Sequence, residues 1–429
     1  IVAIITLVRI IIIGQPVSNE DQVAQVVSIG PKISSLAFLT GGFSHGTLRS
    51  DKDRGTIVWQ TDVPSDSVVE YMKGPTTGAP FLTTTYDDYF NANLGSVLIT
   101  PVNSTLVTSH SMKVADINAM DSYRWMFRVR SKDASGNVTV SPVMMYNRHY
   151  DDPWLGTWNY VVITDSANES RARSQYATLQ NFWRANSYNS FNPIFTIKVI
   201  PKPLTCSVGE IAASLGAELA QYDDYFVEVS TDVAGNECQG AGDFFVDDGE
   251  YVTLHERSHR LGLNDDKWDL VCTSATTCTE PYNQSLPSPM ARVSDPAGSE
   301  QFSLAEKELI GFVGNRLRPD LTPSITTVTQ NGSYRIGTLE NMAIEPKGIK
   351  ILRHYNPITR QKWYYYFELR ANASQQIEVS TTRDHSDYET SGTPPRVYHY
   401  ERIWLGSGPN GTPKPTFIDP WTGMTVTLR

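Results

Sequence analysis

The pentapeptide HERSH at residues 255–259 is where this sequence most plainly carries chemistry. Histidines four positions apart stand on one face of a helix, so His255 and His259 can offer two imidazole nitrogens to one divalent cation. Glu256 projects beside them, where a carboxylate can take a proton from a water that such a cation holds. The pattern runs on as HExxHxxGxxD. Gly262 can take the positive φ that ends a helix and turns the chain back. Asp265 then arrives as a third ligand and leaves a fourth position for water, the arrangement of a catalytic Zn2+ site. In a chain with eight histidines, HExxH arises by chance on the order of 0.01 times. The metal-site reading therefore outweighs that of a surface helix with two histidines.

The four cysteines, Cys206, Cys238, Cys272 and Cys278, lie around this stretch. None forms a CxxC, which disfavours a four-thiolate zinc site, and three pairings are open to them. A Cys272–Cys278 bridge would close a short Thr- and Ser-rich loop just beyond the metal ligands, and Cys206–Cys238 then follows by elimination. Asp247 and Asp248 could touch a second cation, although a solvated turn accounts for them better. His110, His149, His354, His385 and His399 stand apart from one another and read as surface or satisfied structural histidines. The chain holds no P-loop, so nucleotide chemistry has no support.

Bulk properties bound the rest. A chain of 429 residues is too long for one ordinary core and should divide into several domains. A net charge of −10 argues against a nucleic-acid partner, which would require basic patches. The even cysteine count, the low charge and seven Asn-x-Ser/Thr sequons point to an extracellular or cell-surface glycoprotein with disulfides. The sequons stand at Asn103, Asn137, Asn168, Asn283, Asn331, Asn372 and Asn410.

The elements that must position the site can be read along the chain. Residues 1–14, IVAIITLVRIIIIG, are almost wholly apolar. They are too short to span a membrane alone, where about 20 residues are needed, and have the look of a signal or anchor remnant. Their β-branched run suits a buried strand, expected to assemble against another chain, with this chain's own first sandwich as the alternative place. From residue 33 to 145 the pattern is that of a β-sandwich. TIVWQTD (56–62) and SVVEYM (67–72) read as strands. In YRWMFRVRSKD (123–133), Tyr123, Trp125, Phe127 and Val129 share one face while Arg124, Arg128 and Arg130 face solvent. ASGN (134–137) turns the chain. From residue 155 to 321 strands and helices alternate as in an α/β layer: VVIT (161–164), a helix at 170–183, FTIKVI (195–200), a second helix at 209–222, and YFVEVS (225–230). The HERSH helix follows and should end at Gly262. Residues 322–429 return to strands.

Two of these stretches resemble known families. The strand Trp59, the VEY of residues 69–71 and the Y-x-x-x-F-R-V-x-S-x-D-x-x-G-N of residues 123–137 resemble a fibronectin type III domain, which implies a seven-stranded spacer without chemistry. HERSHRLGLND, PSPMAR (287–292) and FSLAEKELIGF (302–312) look like the metzincin zinc peptidases, closest to the gametolysin and immune inhibitor A types. In these the methionine of a tight turn lies under the zinc, a place that Met290 matches. Their helix after that turn is matched by Ser303, Glu306, Lys307 and Gly311. Asp265 corresponds to the third ligand of the immune-inhibitor type. KWYYYFELR (362–370) and FIDPWTGMTVT (417–427) resemble the β-rich tail of the gametolysin type. One departure stands out: these families place an apolar residue and then glycine inside HExxH, where this chain has Arg257 and Ser258. Arg257 would point near the domain interior unless its stem snorkels outward.

The expectation is a multidomain α+β protein. Residues 1–32 form an apolar segment and linker, 33–145 a fibronectin type III-like sandwich, 155–321 a metzincin-like domain and 322–429 a C-terminal β domain. The expected activity is zinc-dependent hydrolysis of peptide bonds in a protein or peptide substrate. The rival expectation is a surface or filament subunit that retains an unused metzincin-like scaffold.

Overall fold

A computed structural model describes residues 8–13, 30–39, 56–74, 86–114, 125–145, 155–236, 238, 250–261, 263, 271–273, 277–279, 288–290, 301–314, 322–341, 346–355, 362–370, 376–382, 397–404 and 414–428. The fold is a multi-sheet α+β architecture in which strand outweighs helix. The first strand, β1 (Val8–Ile13), buries Ile10 and Ile12 on one face, as a period of two requires.

The next region is antiparallel throughout. It comprises β2 (Ile33–Leu39), β3 (Thr56–Lys73), the short helix α1 (Tyr86–Ala92), β4 (Leu98–Ile99), β5 (Asn103–Lys113), β6 (Trp125–Lys132), β7 (Val138–Val140) and β8 (Met144–Met145). The 18-residue strand β3 serves two neighbourhoods. Its first half pairs with β2 and its second half with β4 and β6, while β5 runs beside it from Thr56 to Ser67. Ile57, Trp59, Val69, Tyr71, Trp125, Phe127 and Val129 fill one core. The opposite face of β6 departs from expectation. Met72 and Met126 pack there against Phe90 and Tyr86 of α1. Arg128 does not reach freely into solvent: its guanidinium pairs with Glu70 at 2.7 Å and stands 4.9 Å from the Phe90 ring centroid.

The α/β region follows. β9 (Gly156–Asp165), α2 (Glu169–Asn186) and β10 (Phe191–Ile200) make a parallel crossover unit, and β11 (Asp224–Glu228) adds in parallel to the other edge of β9. A central parallel strand is covered on both sides, so the middle of β9, YVVI at 160–163, is an unbroken apolar run. Trp158, Tyr160 and Val162 face α2 through Tyr176, Leu179 and Trp183. Val161 and Ile163 face the other way, onto Ile211 and Ala212 of α3 (Val208–Ala213). The helix expected over 209–222 is cut short. α3 stops at Ala213, and Gly216 at φ +53, a left-handed conformation, separates it from a 3-10 turn over Gly216–Gln221. Then come α4 (Glu250–Ser258), the two-residue hairpin of β12 (Val271–Cys272) and β13 (Cys278–Thr279), and α5 (Leu304–Leu309).

Two sheets complete the chain. β14 (Thr326–Val328), β16 (Gly348–Tyr355), β17 (Lys362–Leu369), β18 (Gln376–Thr382) and β19 (Val397–Trp404) form one of them. β15 (Gly332–Ile336), β20 (Thr416–Ile418) and β21 (Thr425–Leu428) form the other, and β1 is its missing member: the order is β15-β1-β21-β20. Val8–Ile12 pairs with β15 and Ile10–Ile13 with β21, both antiparallel. Ile10 and Ile12 join Ile336, Tyr365, Phe367, Val426 and Leu428 in one core. This corrects the expectation for residues 8–13. They lie between β15 and β21 of this chain, not in a linker and not in the region of residues 33–145. Both edges of β1 are already hydrogen-bonded within this chain. Residues 1–7 lie outside the described residues. Among the described residues no helix is long and apolar enough to cross a membrane.

Candidate metal centre

Helix α4 is nine residues long, too short to persist in water by propensity alone, so its packing must hold it. Leu254, Leu261 and Leu263 enter the same core as Tyr160, Trp183 and Met290. On the other face His255 and His259 stand edge to face, with ring centroids 4.9 Å apart. His255 is buried, whereas the His259 and Glu256 side chains keep 34% and 25% of their surface exposed, so the centre opens on their side.

The imidazoles are aimed by their far nitrogens. His255 Nδ1 lies 2.8 Å from the Pro289 carbonyl oxygen, and His259 Nδ1 lies 2.9 Å from that of Leu263. A carbonyl can only accept, so each Nδ1 donates, and in the neutral imidazole the lone pair is then on Nε2. Glu256 Oε1 is 3.9 Å from His255 Nε2, and its Oε2 is 3.8 Å from His259 Nε2. One ligand atom from each of the three residues lies within 4.8 Å of the others. Two neutral imidazole nitrogens and a carboxylate are the donor chemistry that Zn2+ takes. The expected third ligand Asp265, the turn residue Gly262, and Asp247 and Asp248 lie outside the described residues.

Met290 is fully buried in the core that α4 shares. Its tight turn is tied on two sides. The Pro289 carbonyl accepts from His255. The Ser288 hydroxyl lies 2.6 and 2.7 Å from the two Glu306 carboxylate oxygens, and it accepts from Met290 N at 3.2 Å. Glu306 in turn closes a capping box with Ser303 at the start of α5. A continuous path of hydrogen bonds thus leads from α5 through the turn to the first histidine.

The departures inside HERSH are accommodated. Arg257 does not snorkel; it is 1% exposed. Its guanidinium pairs with Glu228 of β11 and lies 5.1 Å from the Phe226 ring centroid. Tyr176 of α2 also donates to Glu228, at 2.6 Å. Ser258 Oγ accepts from Trp183 Nε1 at 3.2 Å. Reading the sequence missed Glu228, Tyr176 and Trp183. A signal was present: Glu228 is an acid in the inward register of a buried strand, and such a group requires a partner.

Cys206 and Cys238 form a disulfide with a Cα–Cα distance of 5.0 Å. Cys272 is also disulfide-bonded and lies opposite Cys278 in the β12–β13 ladder. The Arg353 guanidinium contacts Cys272 Sγ, which docks this hairpin on the C-terminal sheet. Of the sequons, Asn103 and Asn331 are exposed. Asn168 is poorly placed to carry a glycan: it is buried, and its amide nitrogen is held by Asp165 and Ser230. The Asn137 amide nitrogen is bound to Asp133. Asn283, Asn372 and Asn410 lie outside the described residues. His110 is a satisfied structural histidine, stacked on Trp59 and bonded to Thr61 and Ser67. Its burial pushes its pKa down from the usual histidine range. His354 is half-buried beside Trp363, and burial lowers its pKa too. His149 and His385, and the side chain of His399, lie outside the described residues.

Compared with protein-family models and with curated proteins, the sequence gives no match.

Proposed function

We propose that this chain is a zinc-dependent endopeptidase built on a metzincin-like domain, between a fibronectin type III-like sandwich and a C-terminal β domain. The observation that carries this reading is the pair of Nδ1–carbonyl hydrogen bonds, which turn both Nε2 atoms toward the Glu256 carboxylate. His255 and His259 would hold the zinc, joined by Asp265 from the continuing motif, with Met290 in the turn behind His255. Bound zinc supplies Lewis acidity, polarising the scissile carbonyl and making a water more acidic. Glu256 accepts a proton from the water that attacks the carbonyl carbon. As the C–N bond breaks, Glu256 returns the proton to the departing amine nitrogen. The half-open side of the centre at Glu256 and His259 suits entry of an extended protein or peptide chain.

An extracellular or surface location accords with the Cys206–Cys238 disulfide and the disulfide-bonded Cys272. The rival reading, a filament or surface subunit with an unused scaffold, leaned on an N-terminal strand available to another subunit. With both edges of β1 paired inside the chain, that support is weakened. Proteolysis of an unfolded protein substrate by Glu256→Gln tests the reading. The variant should retain its zinc and lose activity by about 10²–10⁴-fold, the usual worth of a general base. Unchanged activity at full zinc content would end the mechanism.

A further inference from the structure

The Glu228–Arg257 pair lies on the far side of α4 from the candidate metal ligands. At 100° per residue, His255, Glu256 and His259 share about 100° of the helix circumference, and Arg257 projects away from them. Both partners are buried, with side chains 4% and 1% exposed. Replacing a buried ion pair with apolar side chains of similar volume is often neutral or stabilising, so stability alone does not account for this one. Its distinctive property is direction. Apolar packing lets a short helix roll, whereas charge-assisted hydrogen bonds fix one geometry. A roll of about 10° would move an imidazole nitrogen by roughly 1 Å, and a metal centre tolerates about 0.5 Å.

We propose that Glu228 and Arg257, steadied by Tyr176, are positioning residues that set the roll of α4 and so aim His255 and His259 at a common point. This rests on the zinc reading above. Ser258, about 100° further round the helix from Arg257, is bonded to Trp183 and braces a second flank. Neither residue of the pair is a candidate metal ligand; they act through the helix backbone.

The test uses the full chain and zinc alone. Arg257→Leu and Glu228→Leu each strand a buried charge and should lower the melting temperature. The double variant Glu228→Leu/Arg257→Leu should regain it. Its zinc affinity, measured against a chelator, should nonetheless stay about 10–100-fold below the parent, the usual effect of losing an outer-shell partner. Its visible spectrum with cobalt in place of zinc should also differ from that of the parent. A double variant with the affinity and spectrum of the parent would overturn the positioning role and leave the metal reading standing. A parent whose zinc binding is untouched by His255→Ala and His259→Ala would sink the metal reading and the proposal with it. If the double variant does not fold, Tyr176→Phe decides: weakened zinc binding at an unaltered melting temperature supports the proposal, and unaltered binding refutes it.

Discussion

At Ser288 a single hydroxyl joins two supports of the candidate metal centre, the Met290 turn and the buried carboxylate of Glu306. Ser288→Ala should leave that carboxylate short of a partner and cost about 1–3 kcal/mol of stability, the range for an unsatisfied buried group. Because the same turn presents the Pro289 carbonyl to His255, zinc affinity should fall by roughly 10-fold as well. Denaturant unfolding and zinc titration of the variant check both. His255, Glu256 and His259 were legible in the sequence because helical spacing alone brings them to one face. Glu228 was not, since its contact with Arg257 spans 29 positions and depends on which strand lies under α4.

Among the elements, α5 carries the heaviest duty relative to its size. Its three consecutive charged residues are all buried, and each reaches a different neighbour. Glu306 holds the Met290 turn, Lys307 meets Tyr188 and Gln301, and Glu308 takes Lys350 and Tyr366. Burial holds the Lys307 ammonium well below the usual lysine pKa range. Where α5 lies on the C-terminal sheet the approach is so close that a Cβ on Gly348 would fall 2.3 Å from Leu304 Cδ2 and 2.5 Å from the Phe367 carbonyl oxygen. Backbone cannot yield there cheaply, so Gly348→Ala should destabilise by about 1–3 kcal/mol, measured by thermal unfolding. The charged run of α5 reads locally as a solvated face; only the sheet that covers it makes it interior.

The turn of residues 133–137 has a twin at 232–236. Asp133 and Asp232 each accept from the backbone and the side-chain amide of the asparagine four residues on, Asn137 and Asn236. The turn motif read as a mark of the first sandwich therefore also closes a loop of the α/β region. These bonds, led by the asparagine side chain, hold both carboxyl pKa values below the usual range. A lowered folded pKa contributes stability that is present above the unfolded pKa of about 4 and lost as pH falls through the folded value. Asp133→Asn and Asp232→Asn should thus flatten stability against pH only below about pH 4, with no change in slope near neutrality.

For the molecule as a whole, β1 is the long-range closure. A strand near residue 10 lies between strands near residues 334 and 427, so the first described element completes the last core. Ile10→Ala should cost about 2–5 kcal/mol, as large-to-small core changes do. Deleting residues 8–13 should lower the melting temperature of the monomer; sedimentation combined with thermal unfolding checks that the loss is one of folding, not of assembly. The β-branched composition made the strand legible. Its partners were not, because the alternation in a short apolar run is shared by every edge that could receive it. The same limit explains why the α/β order of residues 155–236 could be read from alternating patterns, while the second helix expected there was drawn too long.

Zinc-edge X-ray absorption of the full chain, purified without added chelator, tests the central claim most directly. The account predicts one zinc per chain with imidazole nitrogen and carboxylate oxygen at about 2.0–2.2 Å, and loss of that signal in His259→Ala. Sulfur at about 2.3 Å, or zinc that persists unchanged in the His259 variant, would contradict it.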